Sequence, residues 1–108
     1  MENKFTFKEY KFPNGETIKC TVAFTFLLKL REKNEAIFER LNKGLLFGVK
    51  DFVESIYVLY GAYICACYAG ENGGEENIMP EDEFIAKLDD DLTYVYALCL
   101  SLINKKKN

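Results

Sequence analysis

The chain has 108 residues, a formal net charge of −3 from 14 Lys+Arg and 17 Asp+Glu, and 16 aromatic residues made up of seven Tyr and nine Phe. It contains no histidine, which removes Ser-His and Cys-His dyads, HExxH zinc sites and any imidazole general base. A sequence pI near 5.0 opposes electrostatic capture of nucleic acid. The length suits one domain over residues 1–108 with a single hydrophobic core.

In chain order, Phe5, Phe7, Tyr10 and Phe12 read as an extended segment. Its odd and even aromatic pairs fall on opposite faces, implying a bulge or a strand covered on both sides. Pro13-Asn14-Gly15 is a turn signal, and Ile18, Cys20 and Val22 then alternate on one face. Residues 1–22 are therefore expected to form a β-hairpin, which needs helices or another copy to cover it. Residues 23–104 read as a bundle of four to five helices, giving an α+β, mostly α fold, with residues 105–108 as a frayed basic tail.

Phe24, Leu27, Leu28 and Leu30 give the first helical spacing. Asn34 is placed to cap a second helix, whose stripe is Ile37, Phe38, Leu41 and Leu45. Glu39 and Lys43 are an i,i+4 pair on its wet side, and Gly44 and Gly48 should loosen its end. Asp51 suits the start of a third helix that ends near Ala69, with Gly70 just beyond it. No charge occurs from Ser55 to Gly70, so this helix is expected to be buried all round. It is too short, and its tyrosines too scattered, for a membrane span. A short fourth helix is expected after Pro80, anchored by Phe84, Ile85 and Leu88. The last begins near Asp89-Asp90-Asp91, with a stripe of Leu92, Val95, Tyr96, Cys99, Leu102 and Ile103. Charge is uneven along this path. Residues 1–70 carry ten bases and eight acids, residues 71–91 nine acids and one base, and residues 92–108 three bases.

No constellation of residues points to catalysis, a cofactor or a metal. Cys65 and Cys67 stand about 200° apart on a helix and cannot share a ligand. Cys20, Cys65, Cys67 and Cys99 read as buried thiols, three of them in apolar segments. With no signal peptide ahead of them, the expected location is the cytoplasm. The 71–91 carboxylates lack the spacing of a calcium loop. They read as a solvated face and helix starts, or as a docking patch for a basic partner. Gly70, Gly73 and Gly74 follow a helix and are not a phosphate loop.

Phe5-Thr6-Phe7, the turn Phe12-Pro13-Asn14-Gly15-Glu16, the helix start Phe24-Thr25-Phe26-Leu27-Leu28 and the segment Phe52 to Tyr63 together give the chain its character. In size, order of elements and these residues it resembles the tail assembly chaperones of long-tailed bacteriophages and prophages of Gram-positive bacteria. The resemblance implies a non-enzymatic protein of the bacterial host cytoplasm that coats the tape-measure protein and recruits tail-tube subunits. It also implies homo-oligomers, and in many members a longer frameshifted form. The expected contacts are Phe5, Phe7, Tyr57, Tyr60, Tyr94 and Leu98, with no nucleic acid or membrane involved. The alternatives are a small regulatory adaptor and, from a different class, a cation-dependent enzyme subunit using the acidic 71–91 block.

Overall fold

A computed structural model describes residues 6–88 and 90–107, with side chains as far as residue 104. Its two strands, β1 (Lys8–Lys11) and β2 (Thr17–Cys20), pair antiparallel with Tyr10 opposite Ile18. Five α-helices follow: α1 (Phe24–Lys33), α2 (Glu35–Phe47), α3 (Phe52–Tyr68), α4 (Glu81–Lys87) and α5 (Leu92–Lys107). A 3-10 turn at Glu75–Asn77 lies between α3 and α4. The α+β, mostly α expectation of a hairpin followed by a helical bundle is therefore observed. Phe5 and Asp89 lie outside the described residues. The backbone of α5 is helical through Lys107, where the sequence suggested a frayed tail from residue 105.

The uncharged segment organises the rest. Every residue of α3 from Val58 to Cys67 is buried, so it has protein on all sides. No helix among the described residues is long and apolar enough to cross a membrane. Asp51 caps α3 by accepting from the Glu54 N–H at 3.0 Å, and Glu54 reaches back to the Lys50 N–H at 2.8 Å. At the other end Gly70 takes φ +92°, the Gly70 N–H donates to Cys67 O and the Glu71 N–H to Ala66 O, both at 3.0 Å. This double closure satisfies two terminal carbonyls and needs a left-handed residue at position 70.

Each neighbour meets α3 differently. β2 leads straight onto it: the Thr21 N–H donates to Ala62 O at 3.1 Å. Asn34 ends α1 with its N–H on Leu30 O and starts α2 with its side chain accepting from the Ile37 N–H, so a single residue turns the chain. α2 then lies against α3 through glycine. A Cβ on Gly44 would run into Val58 Cγ2, and one on Gly61 would sit 3.0 Å from the Leu41 side chain. Gly44 therefore does not loosen the end of α2; it lets the two helices touch. On another side, Cys99 of α5 packs near Ser55, and Val95, Leu102 and Ile103 join the core.

Several expected core positions turn out differently. Tyr10 and Phe12 of the hairpin are fully buried, whereas Phe7 precedes the strand and is half-buried. On α1 Leu27 and Leu30 are buried and Phe26 packs against the core, leaving Phe24 and Leu28 exposed. On α4 Phe84 is fully buried but Ile85 is exposed, and on α5 Leu92 and Tyr96 are outside the core. Lys43 meets Glu54 of α3 at 3.9 Å and makes no ion pair with Glu39 among the described residues.

The glycine contacts give a sharp expectation. Gly44→Ala gains roughly 1 kcal/mol of helix propensity, yet it should lower stability by about 1–3 kcal/mol because the stiff Val58 side chain cannot step aside. Gly61→Ala should cost less, since its new methyl would meet Leu41 at 3.0 Å and needs only a small shift of the neighbour, whereas at Gly44 it would overlap Val58. Urea midpoints for the two variants check both, and a neutral or stabilising Gly44→Ala would refute the close packing.

Candidate protein-contact surfaces

The aromatic residues divide into a buried chain and an exposed set. The buried chain is continuous: Tyr60 and Tyr63 of α3 lie 5.1 and 5.3 Å from Phe84 of α4, Phe84 lies 5.8 Å from Phe12, and Phe12 lies 5.3 Å from Tyr10. Tyr10 in turn stacks on Tyr94 of α5 at 5.1 Å. One row of rings thus joins α3, α4, the hairpin and α5.

Tyr60 therefore cannot be a surface contact: it is 4% exposed and its hydroxyl donates to Met79 O at 2.8 Å. Burial, reinforced by the nearby Glu81 carboxylate, pushes its phenol up to about 12. The Tyr63 hydroxyl accepts from the Met79 N–H at 2.9 Å, and burial raises its pKa as well. Tyr94 is 40% exposed at its edge while one ring face is taken by Tyr10. Tyr57 is half-buried beneath Arg40, whose guanidinium carbon is 3.9 Å from the ring centroid. Leu98 is half-buried against the core. Phe7 is half-buried ahead of β1 and Phe5 lies outside the described residues, so the five described residues do not form one surface.

Around Arg40 the α2–α3 seam holds a small cavity of about 100 Å³, lined by Arg40, Lys43, Gly44, Glu54 and Tyr57. Arg40 Nη2 meets Glu81 at 2.8 Å, while its Nε is buried with no hydrogen-bond partner among the described residues. The two cations and the carboxylates of Glu54 and Glu81 balance, so the seam carries no excess charge for an ionic ligand.

The acidic 71–91 block is engaged within the chain. Glu71 pairs with Lys19, Glu75 with Lys29 and Lys33, Glu81 with Arg40, and Glu83 with Lys87, which also meets Glu16. Asn72, at φ +59°, accepts from the Lys19 N–H at 2.8 Å and donates to Lys19 O at 2.9 Å, closing the outer edge of β2 as a short strand would. The segment is a strap across the hairpin, α1 and α2, so many of the carboxylates that could dock a basic partner are already engaged within the chain. Among the described residues no three His, Cys, Asp or Glu side chains gather as a metal-ligand group.

The surfaces that remain are ones the sequence reading assigned to the core or passed over. Leu46 and Phe47 end α2, and Phe52 and Val53 begin α3; all four are exposed, Phe47 at 73%. Leu28 on α1, Ile85 on α4, and Leu92 and Tyr96 one turn apart on α5 make further exposed apolar positions. Their signal in the sequence is surplus: α1 and α5 each carry more apolar residues than one face can bury. Comparison with protein-family models, curated proteins and solved structures finds no match.

The thiols are the remaining reactive groups. All four cysteines are buried, and none of them forms a disulfide. Burial lifts Cys20 and Cys67 above the usual thiol value of 9.0 and takes Cys99 to about 11. With their pKa raised in this way, Cys20, Cys67 and Cys99 are not nucleophiles at neutral pH. Because these thiols and Tyr60 have raised folded-state values, their contribution to stability is complete below the unfolded values near 9 and 10. It is lost as pH rises toward the folded values of about 11 and 12. Stability should therefore hold from pH 6 to 8 and fall above about pH 9, by about 1.4 kcal/mol per pH unit for each group that ionises only on unfolding. Urea midpoints between pH 7 and 10.5 test this, and a flat profile to pH 10.5 would contradict the burial of these groups.

Proposed function

We propose that this protein works by binding other proteins, and that it is a tail assembly chaperone that sheathes the tape-measure protein and brings tail-tube subunits to it as a homo-oligomer in the bacterial host cytoplasm. The observation that carries the binding role is the set of exposed apolar side chains on the outer faces of α1, α4 and α5, above all Leu92 and Tyr96 at i,i+4 spacing. Exposed apolar surface of this kind marks sites of protein contact. Pairs one helical turn apart match the repeat of a helical client, whose own apolar stripe recurs at three- and four-residue intervals. The tail-assembly part of the reading rests on the resemblance in size, element order and aromatic segments.

Weak contacts repeated along a long client add through effective concentration, so each copy needs only a modest surface. The acidic strap contributes solubility around these apolar faces, since Glu76, Asp82 and Asp90 stay exposed.

Co-expression with a tape-measure protein from the same genome, followed by affinity capture of the client, tests the proposal. The expected result is a complex and a gain in soluble client. Leu92→Asp combined with Tyr96→Asp should abolish capture while changing stability by no more than about 0.5 kcal/mol per site, because both residues are already exposed. No complex with the unaltered chain would refute the reading.

A further inference from the structure

We propose that Asn72 is a modification site: attack by the Gly73 nitrogen removes its side-chain amide, and the carboxylate that results unfastens the first residues of the strap from β2 for good. The chain contains two Asn-Gly steps, Asn14-Gly15 and Asn72-Gly73. Glycine in second place leaves the attacking nitrogen unshielded by a side chain and its backbone free to turn. The structure holds the two steps in opposite ways.

At the hairpin turn the nucleophile is engaged, because the Gly15 N–H donates to Phe12 O at 2.9 Å. The Asn14 side chain bonds only to Glu16, two residues away and exposed. In the strap the nucleophile is open and the side chain is tied. Gly73 is exposed at φ +85°, and its N–H makes no hydrogen bond among the described residues. Asn72 is half-buried, and its side chain reaches another element. Oδ1 accepts from the Lys19 N–H at 2.8 Å, while Nδ2 donates to Lys19 O at 2.9 Å and to Cys67 Sγ at 3.7 Å. Ring closure requires Asn72 Cγ to swing back toward its own main chain, which breaks both bonds to Lys19. The closed strap therefore holds the reaction back, and local opening releases it.

The chemistry needs only water. A base takes the proton of the Gly73 N–H, the nitrogen forms a bond to Asn72 Cγ, and the Cγ–Nδ2 bond breaks. Nδ2 leaves as ammonia with a proton returned by water, and a cyclic imide remains. Water then opens the ring at Cγ to give aspartate, or at the main-chain carbon to give isoaspartate. The balance is one ammonia lost and one water gained, with no change of oxidation state.

The product cannot refasten. A carboxylate has no N–H for Lys19 O or Cys67 Sγ, and one of its oxygens would face Lys19 O across the 2.9 Å now bridged by the amide. Isoaspartate also lengthens the main chain and takes the group out of register. The outer edge of β2 is then left open at Lys19. The Lys19–Glu71 pair, on the surface at 3.5 Å, is too weak to keep it shut. Release stays local, since Met79 remains bonded to Tyr60 and Tyr63 and Phe84 remains buried. The proposal stands apart from the client-binding reading above.

Peptide mass spectrometry of the full chain aged at 37 °C and about pH 8 tests the first half. In denaturant Asn14 and Asn72 should convert at similar rates. In the folded chain Asn72 should convert at least tenfold more slowly than in denaturant, the ratio that one or two net hydrogen bonds supply. Amide hydrogen exchange tests the second half. Asn72→Asp should speed exchange of the Lys19 N–H at least tenfold and leave the α3 amides protected, whereas Asn14→Asp should leave Lys19 unchanged. Aged wild-type chain, separated into converted and unconverted forms, repeats the measurement without a substitution and carries it if Asn72→Asp perturbs the fold. Equal conversion of Asn72 in folded and denatured chain, or unchanged Lys19 exchange in the converted form, would overturn the proposal.

Discussion

A seventeen-residue helix without a single charge after Glu54 imposes one requirement on everything else: it must be surrounded. A chain of this size has little protein to spare for that task, and the fold distributes it economically. The hairpin covers one flank and hands over to α1 through Thr21, whose N–H is given to Ala62 of the central helix. α2 closes another by meeting α3 at Gly44 and Gly61, where side chains would hold the helices apart. α5 lies along a third. The last flank receives no long helix, only the strap and short α4, and there the central helix presents Tyr60 and Tyr63. Their hydroxyls supply hydrogen-bond partners to the partly buried Met79 backbone of the strap.

The ring row from Tyr60 to Tyr94 and the ion pairs of the strap do complementary work. Rings join elements that are distant in sequence through buried area and edge-to-face geometry. Charges then orient the surface segment above them. The arrangement explains a puzzling composition: a segment of net −8 lies against a body of net +2, and its carboxylates find lysines and an arginine on the hairpin, α1 and α2. Exposed pairs of this kind add little stability one by one. Their value here is positional, because they set where the strap runs over the aromatic row.

Features decided locally were legible in the sequence. The turn at Pro13-Asn14-Gly15, the caps Asn34 and Asp51, the stop at Gly70 and the buried central helix all depend on residues within one or two helical turns, and all are observed. What failed depended on distant partners. Nothing within α1 says that Leu27 and Leu30 face inward while Leu28 does not, because its apolar residues cover more than one face. Gly44 resembles a helix breaker until Val58 is placed opposite it. Tyr60 looks like an interface residue until the carbonyl of Met79 arrives nineteen positions later. The candidate surface suffered most. Phe47 and Phe52 gained their significance only when the connection between them was seen to leave both uncovered.

The strap's ion pairs and the core beneath them should respond differently to concentrated salt. At 1 M ionic strength the screening length shrinks to about 3 Å, which weakens pairs such as Lys19–Glu71 and Lys29–Glu75 that lie at 3.5 and 3.8 Å on the surface. Burial of α3 owes nothing to charge, and excluded salts such as sulfate strengthen it. Ionic strength therefore acts on the strap's surface pairs and not on the contacts of Phe84 and Met79 that hold the segment to α3. It loosens the segment that crosses the hairpin and leaves the helix beneath it enclosed.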